Sequence, residues 1–77
     1  MADYQPIACA LHERLEFSVL RKLKLELNYA DSTGIHRERV LPLDVVTRDR
    51  AEWLLFQKMD GETVEIRLDA IVSFKEI

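Results

Sequence analysis

Much of this sequence is defined by what it has little of. A single cysteine, Cys9, rules out an internal disulfide and suits a reducing compartment. Two glycines cannot build a phosphate-cradling loop, and with only two prolines the chain is no flexible linker or disordered tract. No apolar run approaches the roughly 20 residues that span a bilayer, so no membrane association is expected. The opening MADYQPIACA lacks a basic stretch followed by an apolar one, so no secretion signal is expected either. Basic residues are in deficit: 11 Lys and Arg against 14 Asp and Glu give a formal charge of −3. Proteins that work by neutralising phosphates carry a basic surplus or stripe, so direct nucleic-acid binding is not expected as the main activity. An acidic balance instead favours basic partners.

Catalytic chemistry is equally short of material. His12 and His36 are the only histidines, and neither sits in an acid–nucleophile arrangement of known spacing. With Cys9 they do not supply four ligands at paired spacing, so no zinc site is expected. Both histidines read as solvent-facing, and Cys9 as a small half-buried residue at a helix N-terminus. Asp60-Gly61-Glu62 lacks the alternating oxygen ligands of a calcium loop and reads as a turn. Neither enzymatic activity nor a metal or other cofactor is expected.

What is present is hydrophobic patterning. With 77 residues, 48% of them hydrophobic, the chain reads as one small domain, residues 1–77, with a core only just sufficient. Ala8, Leu11, Leu15 and Val19 form one stripe of an amphipathic helix over residues 8–20. Phe17 lies nearly opposite that stripe, so the helix touches the body on two sides or ends irregularly. Leu23, Leu25, Leu27 and Tyr29 alternate with polar residues and predict a strand over 22–29. A five-residue polar loop, 30–34, leads to a second strand over 35–46, where Pro42 marks an edge, bulge or bend. Further strands are predicted over 51–59, 62–68 and 71–77. Asp60-Gly61 between them suits a type I′ turn, and Val64, Ile66 and Leu68 share one apolar face. Trp53 and Phe56 have opposite parity, so one belongs to the core and the other is open to stacking. Arg67 and Asp69 read as a charge pair at a strand end. One helix followed by five short strands predicts a mainly β protein, a small strongly bent barrel with the helix across one open end or face.

Against this frame stand two sets of residues in fixed order. The first is Tyr4-Gln5-Pro6-Ile7, then Cys9, Leu15-Glu16 and Leu23-x-Leu25-x-Leu27. The second is Gly61-Glu62-Thr63, then Glu65-x-Arg67-Leu68-Asp69-x-Ile71 and Ser73-Phe74. Together they resemble the Rof (Rho-off) family of small bacterial inhibitors of the transcription termination factor Rho. The resemblance implies an Sm-like (SH3-like) barrel with an N-terminal helix. It also implies a cytoplasmic protein, a monomer when free, that binds the N-terminal RNA-binding region of Rho and keeps RNA from its primary site. Antitermination follows. By position, the implied contacts are His12, Glu13, Arg14 and Glu16 on the helix, with Arg48, Asp49 and Arg50 in a polar loop. An acidic surface would then compete for a basic cleft made for single-stranded RNA.

The chain departs from the family where Ala10 and Leu11 follow the cysteine in place of acids, and where the 30–34 loop looks long. The charge attraction is therefore weaker, or is carried by other acids such as Asp3. The rival reading is a module that binds RNA itself, with Lys22, Lys24, Arg37 and Arg39 as a basic strip on adjacent strands.

Overall fold

A computed structural model describes residues 6–77. Tyr4, Gln5 and the proposed acid Asp3 lie outside the described residues. The described residues fold as one helix, α1 (Cys9–Arg21), and five strands. These are β1 (Leu25–Asp31), β2 (Gly34–Arg48), β3 (Ala51–Lys58), β4 (Thr63–Arg67) and β5 (Ile71–Glu76). A single 3-10 turn, Leu68–Ala70, joins the last two strands.

All pairings are antiparallel, in the order β4-β3-β2-β1-β5. β4 and β5 thus stand at opposite ends of that order, yet only three residues separate them. In a flat sheet they would be about 19 Å apart, four strand spacings of about 4.8 Å. A 3-10 turn rising about 2 Å per residue cannot cover that distance. The sheet must curl until its two ends approach, which is the strong bend expected of an Sm-like or SH3-like barrel.

β2 is long enough to pair with both of its neighbours. Its residues Gly34 to Val40 pair with β1, and Val40 to Arg48 pair with β3. Between Pro42, opposite Phe56, and Asp44, opposite Leu55, Leu43 is an extra residue. Pro42 has no N–H to give the ladder, so a bulge next to it costs no further hydrogen bond. The strand continues two residues beyond the expected limit because Thr47 and Arg48 still pair, with Glu52 and Ala51.

Inside the curl lie Leu25, Leu27 and Tyr29 of β1, Val40, Leu54, Phe56, Ile66, Leu68 and Phe74. The alternation of β1 and of Val64-Ile66-Leu68 points inward as the pattern predicts. Tyr29 buries its ring and keeps its hydroxyl bonded, donating to Glu38 Oε2 at 2.6 Å. Lys58 holds the other oxygen of Glu38 at 3.2 Å, so one carboxylate ties β1, β2 and β3 together. Burial first, and then this bond, pushes the Tyr29 hydroxyl far above its ordinary range. The same bond, aided by Lys58, holds the Glu38 carboxyl low.

The helix meets this core on a narrower front than its stripe suggests. Leu15 is fully buried, but its buried neighbour is Ser18, and Leu11 stays 39% exposed. Ser18 is tolerated because its hydroxyl donates to the Arg14 carbonyl at 2.9 Å, one turn back. Phe17, on the far side, is 50% exposed, with the Arg21 guanidinium 5.1 Å from its ring centroid. The helix stops at Lys22, whose φ of 55° is left-handed, where Lys22 N–H reaches Val19 O and Leu23 N–H reaches Ser18 O. This 6→1 closure is the Schellman pattern with lysine in the usual glycine position, and it delays β1 to Leu25 rather than residue 22.

The turns differ most from expectation. Asp60-Gly61 is not a two-residue type I′ turn, since Gly61 has a φ of 91° while Asp60 is not in the positive range. Lys58 N–H bonds Glu62 O at 2.7 Å and Gly61 N–H bonds Lys58 O at 2.9 Å, giving a three-residue loop with a left-handed glycine. The type I′ geometry occurs instead at Asp49 and Arg50, with φ values of 51° and 61° between paired Arg48 and Ala51. The expected five-residue loop shrinks to Ser32-Thr33, because Asp31 and Gly34 pair. Asp31 Oδ1 organises it by accepting from Thr33 N at 2.8 Å and Thr33 Oγ1 at 2.6 Å.

Candidate protein-interaction surface

The helix residues implied as contacts do two different jobs. His12 is not a free solvent-facing histidine. Its Nδ1 lies 2.7 Å from Glu16 Oε1, one turn on, and its Nε2 bonds Glu52 Oε2 on β3. Each ring nitrogen thus faces a carboxylate, one on the helix and one on the sheet. His12 therefore clamps the N-terminal half of α1 onto the start of β3. Glu13, exposed on the next position, stays outside the clamp. Together Glu13, Glu16 and Glu52, with Pro6, Ile7 and Cys9, line a shallow groove.

Arg14 faces the other flank. Its guanidinium sits 4.7 Å from the Phe74 ring centroid, and Nη2 lies 3.2 Å from Glu76 Oε2. The Glu76 carboxyl is held below its usual range, first by its own backbone N–H and then by Arg14. Arg14 thus fastens the helix to β5. Cys9 is exposed rather than half-buried.

The second group divides in the same way. Arg48 lies over Trp53, 4.5 Å from the ring centroid, and pairs with Glu65 on β4. Trp53, the outward member of the pair, thus has one ring face covered by the Arg48 guanidinium, and its Nε1 donates to the Arg48 carbonyl at 3.2 Å. Phe56 is the core partner of that pair. Asp49, with its side chain 84% exposed, and Arg50 form the tip of the type I′ turn. Arg67 and Asp69 pair as expected, with Arg67 Nε donating to Asp69 Oδ1 at 2.9 Å.

The structure links the two groups through a residue that the sequence did not single out. Glu52, which bonds His12, stands two residues past Arg50 and opposite Thr47 in the β2–β3 ladder. Nothing local marks it, since His12 and Glu52 are 40 positions apart. Among the described residues, no group of three or more His, Cys, Asp or Glu side chains could hold a metal ion. No helix among them is long and apolar enough to cross a membrane.

A bent five-stranded sheet with one helix clamped to it, bearing exposed acids on the helix and an exposed polar turn at Asp49-Arg50, defines a small β module with a charged surface. The same curl occurs in proteasome accessory factor B/C (PafBC) of Arthrobacter aurescens, at a TM-score of 0.79. That likeness covers 94% of this chain and 12% of the other at 17% identity, and is one of fold alone. The chain belongs to the family of modulators of Rho-dependent transcription termination (ROF), whose model matches residues 6–77. It is similar to the protein rof of Escherichia coli (strain K12) and to that of Shigella flexneri. Each is 37% identical over 71 residues, which are 92% of this chain and 80% of the relative. Membership places the protein among regulators of termination rather than enzymes.

Proposed function

We propose that the protein inhibits the termination factor Rho by docking on its N-terminal RNA-binding region and excluding RNA from the primary site. It acts in the cytoplasm as a single Sm-like domain, monomeric when free, and the outcome is antitermination. The observation that carries this reading is the His12 clamp. By bonding Glu16 and Glu52, it fixes one end of α1 so that Glu13 and Glu16 are offered from a rigid support. Fixed carboxylates compete for a basic cleft better than mobile ones, because less side-chain entropy is lost on docking. In this reading Glu13 and Glu16 touch Rho, as do Asp49 and Arg50 at the turn tip. His12, Arg14 and Arg48 are positioning residues whose side chains are engaged within the fold.

The test is Rho-dependent termination in vitro with purified protein, alongside Rho's binding of single-stranded RNA. The wild-type chain should raise read-through and reduce RNA binding by Rho. Glu13→Lys with Glu16→Lys should abolish both effects. Full inhibition by that double variant overturns the acidic-helix mechanism.

A further inference from the structure

The side of the sheet facing away from the core carries the opposite charge. Alternation along the strands puts Glu26 and Asn28 of β1, Arg37 and Arg39 of β2, and Ser73 and Lys75 of β5 on one outer face. The ladder sets them in two rows. In one, Glu26 stands between Arg39 and Lys75; in the other, Asn28 stands between Arg37 and Ser73.

The second row is organised before any ligand arrives. Asn28 Nδ2 donates to Ser73 Oγ at 2.8 Å, and Arg37 Nε donates to Asn28 Oδ1 at 3.0 Å. With Nε so held, and Glu26 3.7 Å from it, the Nη edge of Arg37 is left for a bidentate acceptor. Arg39 and Lys75 form no ion pair among the described residues. Three cations against one carboxylate thus occupy one face of a chain whose formal charge is −3. A groove lined by Glu26, Asn28, Arg37, Ser73, Phe74 and Lys75 runs along it.

We propose that this outer face of β2-β1-β5 binds the sugar–phosphate backbone of single-stranded RNA. Arg37 and Arg39, two residues apart on one strand, place their stems about 6.6–6.8 Å from each other, which suits successive phosphates of an extended strand. The Asn28–Ser73 pair supplies the neutral donors and acceptors that accompany such contacts at phosphate and ribose hydroxyl. Arg37, Asn28, Arg39 and Ser73 present no ring on which a base could stack, so the contact follows the backbone and ignores sequence. Of the basic strip suggested by the sequence, Arg37 and Arg39 take part, while Lys75 takes the third place. Lys22 and Lys24 are exposed but precede β1, which begins at Leu25.

The experiment needs no Rho, so its outcome is independent of the inhibitory reading. Fluorescence anisotropy of a labelled oligouridylate with the full chain should show binding at low salt. Three phosphate contacts predict a log–log salt slope of about −2. Arg37→Glu with Arg39→Glu should weaken binding about tenfold or more. Glu26→Gln should tighten it, and Glu13→Lys with Glu16→Lys should retain it while losing inhibition of Rho. Absence of salt-dependent binding overturns the proposal. So does undiminished binding by a natively folded Arg37→Glu, Arg39→Glu variant, or equal displacement of the RNA by polyglutamate of matched length.

Discussion

The sheet and the helix of this protein are held by different forces. The sheet and its 3-10 turn supply nine of the ten clustered core side chains, among them Phe56 and four leucines at 0% exposure. The helix contributes one, Leu15, and relies otherwise on Ser18, the His12 clamp and the Arg14 contact with β5. A fully buried Leu or Phe side chain contributes about 1.5–3 kcal/mol, whereas a partly exposed ion pair contributes about 1 kcal/mol or less. The body is therefore held chiefly by burial, and the helix largely by polar contacts of modest energy.

The largest expected effect breaks that contrast at its root. Phe56→Ala should destabilise by about 3–5 kcal/mol, enough to unfold much of so small a domain. Leu15→Ala should also cost about 2–5 kcal/mol, but locally, freeing the helix from a sheet that keeps its β signature in far-ultraviolet circular dichroism. Urea melts followed by separate helix and sheet probes check this. Coincident loss of both signals in Leu15→Ala would show that the helix is as integral as the sheet.

The next effect is smaller and of opposite sign. Asp49 and Arg50 both occupy the left-handed region, which costs a side-chain-bearing residue roughly 1–2 kcal/mol. Asn and Gly take that geometry with ease, so Asp49→Asn with Arg50→Gly should stabilise the fold by about 1–2 kcal/mol. In a domain of this size that raises Tm by about 4–8 °C per kcal/mol. Inhibition of Rho should fall while the Tm rises, because the charges at the tip are gone. A rise in Tm with inhibition unchanged would remove the turn from the contact surface.

These turns also mark the limit of what the sequence revealed. β1 was legible because Leu25, Leu27 and Tyr29 alternate strictly, and period 2 has one meaning in a half-buried strand. Asp60-Gly61 gave only the need for a positive φ at glycine; loop length was set by the pairing of Lys58 with Glu62, which composition does not encode. The type I′ turn at Asp49-Arg50 carries neither Asn nor Gly and so sends no local signal. On the helix, the stripe placed Leu11 inward, yet the docked orientation buries Ser18 instead, since its hydroxyl finds a backbone acceptor. The acids Glu13 and Glu16 could be named from the family resemblance. Glu52 could not, because its meaning depends on a contact with His12 that only the fold creates.

The smallest effect concerns a polar cluster far from both, and its sign is fixed by the direction of one shift. Asp31 accepts from the Thr33 hydroxyl, from His36 and from the Thr33 backbone N–H, which bring its carboxyl from 3.8 down to about 2. A carboxylate lowered on folding contributes stability above its unfolded value, and loses it as pH falls through the folded one. The contribution should be complete above about pH 4 and fade between there and about pH 2. Thermal melts of wild type and Asp31→Asn should therefore differ at pH 5 and converge by pH 2. Because the cluster is exposed, the gap should also narrow in high salt. A gap that stayed constant from pH 5 to pH 2 would mean that Asp31 shapes the turn as a neutral acceptor, leaving the register of β1 and β2 independent of its charge.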